Sequence, residues 1–330
     1  MRERGKRIIW IDVAKALAMI CVIIGHKSSN GVVNGVIYSF HMPVFFILNA
    51  LTTQMVGNVN EFKSESRRTI KRLLPIYVLV FCVGSIFYEN KNLEFVKERL
   101  LSFLFASGAP VQIGGGIQPI GVMWFLVVLV ESKMMFQLFK LWIRNEIKLM
   151  VVIALITSAG MLLGNYGIWL PFSLDIALVV VCFMAIGDAV KRRISTLFHQ
   201  AIIVVLMVFG WGLTLGLEFL LMHKQFNLAY RQYPLYWISI VTAVCGAYLL
   251  GYIAFSIENY LPAIKNILAR IGKNTLLILI VHNFDSKFIP AMINDLPQFL
   301  SISLIVGIDI LIAYFAEVAL QCFKNTLKIK

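Results

Sequence analysis

The sequence predicts an all-α protein that crosses a membrane many times, and three observations lead to this prediction. Hydrophobic residues make up 59% of the chain and charged residues only 14%, whereas soluble domains carry roughly 25% charged residues. Apolar stretches of about 17–25 residues, the length of a membrane crossing, recur along the chain. Basic residues concentrate in alternate connecting loops. Because lipid tolerates helices but not open strands, the sequence indicates a polytopic helical bundle.

Ten apolar segments have the length that a membrane crossing requires. In order they are residues 8–28, 39–57, 73–89, 121–140, 149–165, 171–190, 200–222, 234–256, 273–289 and 298–323. The basic stretch before the first segment is similar to a signal peptide, but Asp12 and Lys15 interrupt the apolar run and no small-residue cleavage site follows. We therefore expect a retained first helix and one integral-membrane domain over residues 1–330.

The net charge of +13 is explained by membrane topology rather than by nucleic-acid binding. Of the 30 lysines and arginines, 21 fall in segments on the side of the N-terminus, 7 on the opposite side and 2 inside segments. This asymmetry follows the positive-inside rule and predicts that both termini are cytoplasmic. A nucleic-acid interface would need these charges on one folded face, which alternating loops do not provide.

The five cysteines indicate packing rather than disulfide or metal chemistry. They all lie in apolar segments and show no CxxC spacing. They are Cys21, Cys82, Cys182, Cys245 and Cys322. No metal is expected in the protein.

The first apolar segment carries three ionisable residues on one helix face. Lys15 and His26 are eleven residues apart, which places them about 20° apart around a helix and about 16 Å apart along its axis. Asp12 lies fourteen residues before His26, about 40° to the other side. Ionisable groups inside a membrane are costly and usually mark a function. The pattern therefore predicts an active site within the membrane protein.

Three of the five histidines fall at one depth by topology. His26 and His282 lie near the outer ends of the first and ninth segments, and His41 near the outer start of the second. A neutral imidazole is suited to taking a proton from a hydroxyl near neutral pH. His26 is interpreted as a catalytic base, the alternative being a structural histidine with satisfied hydrogen bonds. His41 could instead shape a helix start with Pro43. His282 and Asp285, three residues apart, form either a pair that orients the imidazole or a simple interfacial hydrogen bond, and the second interpretation is favoured.

Basic residues on the cytoplasmic side suggest an anionic ligand. Lys15 either forms a neutralising pair with Asp12 or faces an anion that enters from the cytoplasm. A dense basic cluster precedes the third segment, consisting of Arg67, Arg68, Lys71 and Arg72. Part of this cluster fits the ordinary topology signal, but arginine side chains also match phosphate geometry. Together these residues predict a phosphorylated donor.

The fourth segment contributes two further candidate residues. Trp124 opens this segment from the outer side, and Glu131 follows seven residues later on the same helix face, near mid-membrane. A carboxylate at this depth must be paired or protonated. Lys133 is not on the same face, so we expect the partner of Glu131 on another helix. Pairing within the bundle is favoured over a proton pathway.

Five short patterns follow one another along the chain. They are the basic residue and histidine eleven apart in residues 15–26, FHMPVFF in residues 40–46, the basic cluster and LLP in residues 68–75, WFL in residues 124–126, and IGKNTL through histidine in residues 271–282. Each pattern alone is weak, but the ordered set covers nearly the whole chain. With this set the chain resembles the acyltransferase 3 family, whose members are integral-membrane O-acyltransferases of bacterial surface sugars, and it is most similar to the short fucose 4-O-acetylase-like members.

Two positions depart from the family pattern. Asn49 and Ala50 stand where the family usually has Ser-Gly after FHMPVFF, and Lys71 stands where arginine is common. A lysine at this position removes a bidentate phosphate contact. Neither departure affects a residue to which the resemblance gives a catalytic role.

The resemblance implies transfer of an acetyl or other short acyl group from cytoplasmic acyl-CoA to a sugar hydroxyl on the outer side of a bacterial inner membrane. It implies that His26 is the base or acyl relay, with His41 and Asp12 in supporting roles. The implied CoA-binding residues are Lys15, Arg68, Lys71 and Arg72. The implied substrate-binding residues are Trp124, Glu131 and His282. Acceptor choice would then depend on the outer loops, mainly residues 88–121, 223–235 and 285–297.

Two other classes of protein compete with an acyltransferase. Ten helices with buried ionisable residues also describe a proton-coupled transporter or a flippase for a sugar-linked solute. That class often shows paired Gly- or Pro-broken helices in matching halves, which this sequence lacks. A nonenzymatic membrane scaffold would need neither the histidines nor the basic cluster.

Overall fold

The predicted all-α fold is confirmed in a computed structural model, which describes residues 7–87, 92–110, 117–222, 225–290, 293 and 295–328, with side chains up to residue 323. In chain order the helices are α1 (Ile9–Lys27), α2 (Gly31–Tyr38), α3 (His41–Thr52), α4 (Val59–Ile86), α5 (Leu93–Phe105), α6 (Trp124–Trp142), α7 (Glu146–Asn165), α8 (Leu174–Val190), α9 (Ile194–Phe198), α10 (Ala201–Leu217), α11 (Trp237–Tyr260), α12 (Pro262–Lys273), α13 (Thr275–Phe288) and α14 (Gln298–Lys328). Single 3-10 turns precede α6 and α8, and a π-helical turn extends α10.

Nine helical segments within the described residues are long and apolar enough to cross a membrane, as expected for a multi-pass membrane protein. They are Ile9–Lys27, Gly31–Thr52, Val59–Ile86, Gly121–Trp142, Glu146–Asn165, Pro171–Val190, Ala201–Met222, Trp237–Tyr260 and Gln298–Phe323. The remaining predicted segment, residues 273–289, corresponds to α13, whose 14 residues extend about 21 Å at 1.5 Å per residue.

The chain forms two compact units. Unit 1 comprises Met1–Phe45, Leu197–Leu213 and Thr242–Lys330, and unit 2 comprises Phe46–Thr196 and Thr214–Val241. Helices α3, α10 and α11 each contribute residues to both units.

In unit 1, α12 and α13 together run alongside α1 in the same direction. Gly272 lies so close to Asp12 that a Cβ atom at this glycine would overlap the Asp12 carbonyl. At the other end of α1, Lys27 forms an ion pair with Asp285 of α13. The path from Asp12 to Lys27 covers about 22 Å of helix, and the path from Gly272 to Asp285 about 20 Å. Because the two paths match, α13 traverses the same depth as α1 despite its short length.

Helix α14 returns beside α1 and α13 in the opposite direction. Near its start, Gln298 Nε2 donates a 2.7 Å hydrogen bond to Ser29 Oγ, just beyond the end of α1. Near its far end, Glu317 Oε2 accepts a 2.7 Å hydrogen bond from Asn274 Nδ2, just before α13. The beginning of α1 and the end of α14 therefore lie at the same end of unit 1, as the prediction of both termini on one membrane side requires.

In unit 2, α7 and α8 form a closely packed antiparallel pair. A Cβ atom at Gly160 of α7 would lie 2.9 Å from the backbone oxygen of Asp175 and from side-chain atoms of the first turns of α8. One turn later, a Cβ atom at Gly164 would lie 2.8 Å from Arg231 and 3.0 Å from Tyr233. This G-x-x-x-G spacing lets the backbones approach, as small residues do in membrane helices. It brings the loop before α11 against the end of α7.

The outer loops proposed for acceptor choice are described only in part. Residues 88–91, 111–116, 223–224, 291–292 and 294 of these loops lie outside the described residues. Helix α5, within the first loop, turns Arg99 inward, where its guanidinium lies 4.4 Å from the Phe81 ring centroid. Three of its leucines, Leu93, Leu100 and Leu104, are exposed. An exposed apolar face of this kind suits contact with lipid.

Candidate active site

The candidate site is built around two histidines that are 256 residues apart in the chain. His26 lies in the last turn of α1, and His282 lies in the second half of α13. His26 Nδ1 and His282 Nε2 form a hydrogen bond of 2.9 Å, and the two ring planes are only 12° apart. The prediction that these two histidines lie at one depth is confirmed, because α1 and α13 run side by side in one direction.

Two buried carboxylates surround His282 on its other side. His282 Nδ1 lies 3.1 Å from Asp309 Oδ2 of α14 and 3.0 Å from Asp285 Oδ2, one turn further along α13. Both carboxylates are buried. Asp285 also accepts a 2.7 Å hydrogen bond from Lys27 Nζ at the end of α1. Three helices of unit 1 thus bring an imidazole pair, two carboxylates and one ammonium group together.

The bonding pattern fixes the direction of the hydrogen bonds in neutral imidazoles. An ionised carboxylate only accepts hydrogen bonds, so His282 Nδ1 carries the proton and donates it. The lone pair of His282 Nε2 then accepts from His26 Nδ1. His26 consequently has its own lone pair on Nε2. A general base is oriented in this way when its other ring nitrogen donates into a chain that ends in a carboxylate.

His26 is the accessible member of this chain. Its side chain is exposed, whereas His282 is 6% exposed and Asp309 is 0% exposed. Among the described residues, His26 Nε2 has no hydrogen-bond partner. A hydroxyl group can therefore approach this nitrogen, while the groups that support the imidazole are shielded.

His41 lies beside this chain but is bonded differently. Residues 39–40 interrupt the segment formed by α2 and α3, and His41 begins α3. His41 Nδ1 donates a 2.9 Å hydrogen bond to the carbonyl of Ile37, which leaves Nε2 as the acceptor. The Tyr38 ring packs against both histidines, with centroids 5.0 Å from His41 and 6.3 Å from His26. His41 is 3% exposed, and its hydrogen bond joins the start of α3 to the end of α2.

Asp12 and Lys15 lie at the opposite end of α1 from His26. Asp12 Oδ1 is 3.6 Å from Lys15 Nζ, and Asp12 Oδ2 forms an ion pair with Arg7. Fourteen residues of helix separate Asp12 from His26 by about 21 Å. Asp12 therefore pairs with two cations, Arg7 and Lys15, and lies far from the imidazole pair. The Lys15 side chain keeps 29% of its surface exposed at this end of unit 1.

The predicted donor-binding cluster lies on α4 in unit 2. Arg68, Lys71 and Arg72 are all exposed, on the side of α4 opposite its buried residues. Neighbouring Glu65 forms an ion pair with Lys133 of α6, whose Nζ lies 2.7 Å from Glu65 Oε1. The cluster therefore presents its positive charge outward.

Trp124 and Glu131 also belong to unit 2. Trp124 is 5% exposed and packs against Gly108, where a Cβ atom would overlap the indole ring. Glu131 is half-buried, and its Oε2 is a buried atom with no hydrogen-bond partner among the described residues. The partner predicted on another helix is thus not found for this oxygen. Lys133 bonds Glu65 and Thr69 instead, consistent with its position off the Glu131 face.

Sequence reasoning did not assign Asp309 or Lys27 to the site. Asp309 is an isolated carboxylate within the last apolar segment, and such a residue often marks a functional site in a membrane protein. Its partner, however, lies 27 residues away on another helix. Of the two interpretations of His282 and Asp285, the favoured one, a simple interfacial hydrogen bond, is incomplete, because the pair is part of a larger charged group that includes Lys27.

Comparison with protein families gives one match of nearly full length. The acyltransferase 3 family model, described as an acyltransferase domain, matches residues 8–317. No curated protein matches the chain significantly. The family match covers both units and every residue of the candidate site.

Proposed function

Because the chain belongs to the acyltransferase 3 family and is a membrane acyltransferase, we propose that it moves an acetyl or other short acyl group from cytoplasmic acyl-CoA to a hydroxyl of a sugar or glycan. The acceptor would lie on the outer side of the bacterial inner membrane. The observation that carries this proposal is an accessible imidazole, His26, supported by a buried chain through His282 to Asp309. This arrangement is suited to deprotonating a hydroxyl.

In the proposed reaction, His26 Nε2 removes the proton of the acceptor hydroxyl as its oxygen attacks the thioester carbonyl. The new C–O bond forms, the C–S bond breaks, and the imidazolium returns the proton to the departing CoA thiolate. No proton is gained or lost overall. While His26 is charged, the chain through His282 to Asp309 stabilises the positive charge and keeps the ring oriented.

The other residues near the imidazole pair would support this step. Asp285 is bonded to Lys27, which neutralises one of the two carboxylates and leaves Asp309 to act on His282. His41 would assist through Nε2, because its Nδ1 proton is donated to the Ile37 carbonyl.

The donor would be bound through its phosphates by exposed basic groups. Lys15 offers a partly exposed ammonium that Asp12 holds in place, and Arg68, Lys71 and Arg72 offer a second positive surface on α4. These residues are described in two separate units, so the proposal for each rests on its own charge and exposure. Trp124 and Glu131 are proposed to contact substrate within unit 2.

The test is transfer of radiolabelled acetyl from acetyl-CoA to surface glycan in membranes that contain the wild type or His26→Ala. Loss of a general base typically costs about 10²–10⁴-fold in rate, so we expect labelling by the variant to fall by at least two orders of magnitude. His199→Ala is the matched control, because His199 is exposed and outside the candidate site.

Equal labelling by wild type and His26→Ala would remove His26 from the mechanism. A wild-type protein that moved a sugar-linked solute across vesicles without consuming acyl-CoA would contradict the proposal and favour a transporter. Equal expression and equal thermal unfolding of the variants in detergent would exclude misfolding as the cause of lost labelling.

A further inference from the structure

Three buried side chains at the end of the imidazole chain remote from His26 lie as close together as the ligands of one metal ion. They are His282, Asp285 and Asp309, which are 6%, 3% and 0% exposed. One nitrogen or oxygen atom from each lies within 4.8 Å of the others. His282 Nδ1 is 3.0 Å from Asp285 Oδ2 and 3.1 Å from Asp309 Oδ2. An ion about 2.0–2.2 Å from each ligand atom keeps neighbouring ligand atoms about 3–3.5 Å apart, so little movement is needed to bind one here.

Two carboxylate oxygens of this cluster lack hydrogen bonds. Asp285 Oδ2 and Asp309 Oδ1 are buried and have no hydrogen-bond partner among the described residues. The other oxygen of Asp285 accepts from Lys27 Nζ, and the other oxygen of Asp309 accepts from His282 Nδ1. Buried charges are normally paired or bound to a metal. The two remaining oxygens can therefore accept a further positive group.

The charge of the cluster also favours a cation. The two carboxylates are accompanied by one ammonium group, that of Lys27, and neutral imidazoles add no charge. One negative charge is therefore in excess, in a region where the carboxylates are shielded from solvent. Attraction of a divalent ion to such a group is stronger than it would be in water.

The types of ligand atom select the kind of metal ion. Mg²⁺ and Ca²⁺ prefer sites made of oxygen atoms, whereas zinc is bound by imidazole nitrogen and carboxylate oxygen, with three protein ligands and an open position in many sites. One imidazole and two carboxylates match the zinc set. The expectation that the protein holds no metal came from its cysteines, and this cluster contains no cysteine.

We propose that His282, Asp285 and Asp309 form a zinc site that switches off the imidazole chain. The ion takes the position of the His282 Nδ1 proton, and this imidazole then carries its proton on Nε2. His282 Nε2 donates to His26 Nδ1, so His26 in turn carries its proton on Nε2. Both imidazoles stay neutral, and no proton is released overall.

The consequence appears at the accessible end of the chain. His26 Nε2 changes from a lone pair, which can take a proton from a hydroxyl, into an N–H group, which cannot. Zinc would thus inhibit acyl transfer from a position remote from Lys15, at the other end of α1. The inhibition rests on the proposed function, whereas the binding of zinc and the change of tautomer do not.

Lys27 opposes the ion, and this gives the site a distinctive signature. Its Nζ lies 2.7 Å from Asp285 Oδ1, and its side chain is 23% exposed. A positive charge so close to the carboxylates repels a divalent ion. Removal of the ammonium should therefore strengthen zinc binding, whereas removal of a ligand should weaken it. General attraction of zinc to acidic side chains would not depend on both residues in this way.

The experiment measures zinc binding, the tautomer of His26 and acetyl transfer on the full-length protein in detergent. Bound zinc is determined by elemental analysis after equilibrium dialysis against Zn²⁺ with Mg²⁺ in excess. The ¹⁵N chemical shifts of histidine-labelled protein report which ring nitrogens carry protons, and His26→Ala assigns the His26 signals. The variants are Asp285→Asn and Lys27→Met. Glu317→Gln is the matched control, because Glu317 lies on the same helix as Asp309 and also accepts a side-chain hydrogen bond, but is outside the cluster.

We expect the wild type and Glu317→Gln to bind one zinc ion equally well. Loss of a group that only orients a metal ligand typically weakens binding about 10–100-fold, so Asp285→Asn, which changes a ligand itself, should weaken it about 100-fold or more. Lys27→Met should bind zinc about tenfold more tightly. Zinc should move the His26 proton from Nδ1 to Nε2 and lower kcat with no change in the KM for acetyl-CoA. In Asp285→Asn, inhibition should need a correspondingly higher zinc concentration, relative to the zinc-free rate of the same variant.

Two results would overturn the site. One is a wild type that binds no zinc under these conditions, and the other is zinc binding that Asp285→Asn leaves unchanged, because the ion would then occupy other residues. Zinc that binds as expected but leaves the His26 tautomer unchanged would overturn the switch. The proposed function fails differently: zinc would bind and change the tautomer, but no acetyl transfer would be detected with or without it.

Discussion

The two units each contain a buried polar group, and the groups differ in whether their protons can move. In unit 1 the members are two imidazoles, two carboxylates and one ammonium, joined in a chain that ends at exposed His26. In unit 2 the central pair is Arg231 and Asp175, of which neither is exposed. An imidazole changes its protonation readily near neutral pH, whereas a guanidinium does not. The first group is built for proton transfer and the second for fixed geometry.

The difference also appears in how the hydrogen bonds are used. Arg231 donates to an aspartate, two serines and a backbone carbonyl, so its guanidinium is extensively bonded. His26, in contrast, has one ring nitrogen bonded and the other accessible. A highly bonded group orders the loops that carry it. A group with one unused lone pair can react.

The largest expected effect tests the proton chain through Asp309. Asp309→Asn replaces the acceptor of the His282 Nδ1 proton by an amide, which can donate and favour the wrong tautomer of His282. By analogy with other base-orienting carboxylates, we expect kcat to fall by about 10²–10⁴-fold with little change in the KM for acyl-CoA. Steady-state kinetics of acetyl transfer measure both constants.

Glu317→Gln is the control for Asp309→Asn. Glu317 lies on the same helix and also accepts a side-chain hydrogen bond, from Asn274, but it lies eight residues further along α14, about 12 Å away along the axis. Its substitution should leave kcat close to that of the wild type. A full rate in Asp309→Asn would mean that the imidazole pair does not depend on this carboxylate, and the contrast between the units would lose its basis.

The next effect concerns the buried Arg231–Asp175 junction of unit 2. It appears in the free energy of unfolding rather than in the rate of proton transfer. Arg231→Met leaves Asp175 as a buried charge without its partner, which typically costs about 3–5 kcal/mol in the free energy of unfolding. The double variant Arg231→Met with Asp175→Leu removes both charges and should recover most of that loss. Thermal unfolding in detergent compares the two variants.

A single variant as stable as the wild type would show that the junction contributes little to the fold. A double variant no more stable than the single one would show that packing and the serine bonds, rather than the unpaired charge, set the cost. Either result would contradict the assignment of Arg231 as a fixed structural tie.

The sequence predicted the elements of unit 1 well because hydropathy and helix periodicity depend on local residues. The ten segments, the shared face of Lys15 and His26, and the common depth of His26 and His282 all follow from spacing. The structure shows that α13, the helix of the predicted segment 273–289, is only 14 residues long. Its path beside α1 begins at the end of α12, where Gly272 lies against Asp12.

The contacts that define both polar groups could not be predicted, because they join residues distant in the chain. The charge rule counts Arg231 only as one of the basic residues outside the apolar segments, and that rule contains no information about burial. Its side-chain partners Asp175, Ser173 and Ser107 lie 56, 58 and 124 residues away in the chain. Asp309 stands in the last apolar segment as an isolated carboxylate, and one sequence contains no information about which helix faces it.

The smallest expected effect separates the role of burial from that of pairing itself. Lys140 and Asp188 form another ion pair in unit 2, but the Lys140 side chain is 31% exposed and Asp188 is 11% exposed. Solvent screens such a pair, so Lys140→Gln should cost only about 0.2–1 kcal/mol in the free energy of unfolding. This loss should shrink as salt is added, whereas the loss in Arg231→Met should not. If both variants lost equal stability and responded equally to salt, then burial would not distinguish the junction, and Arg231 would be one ion pair among others.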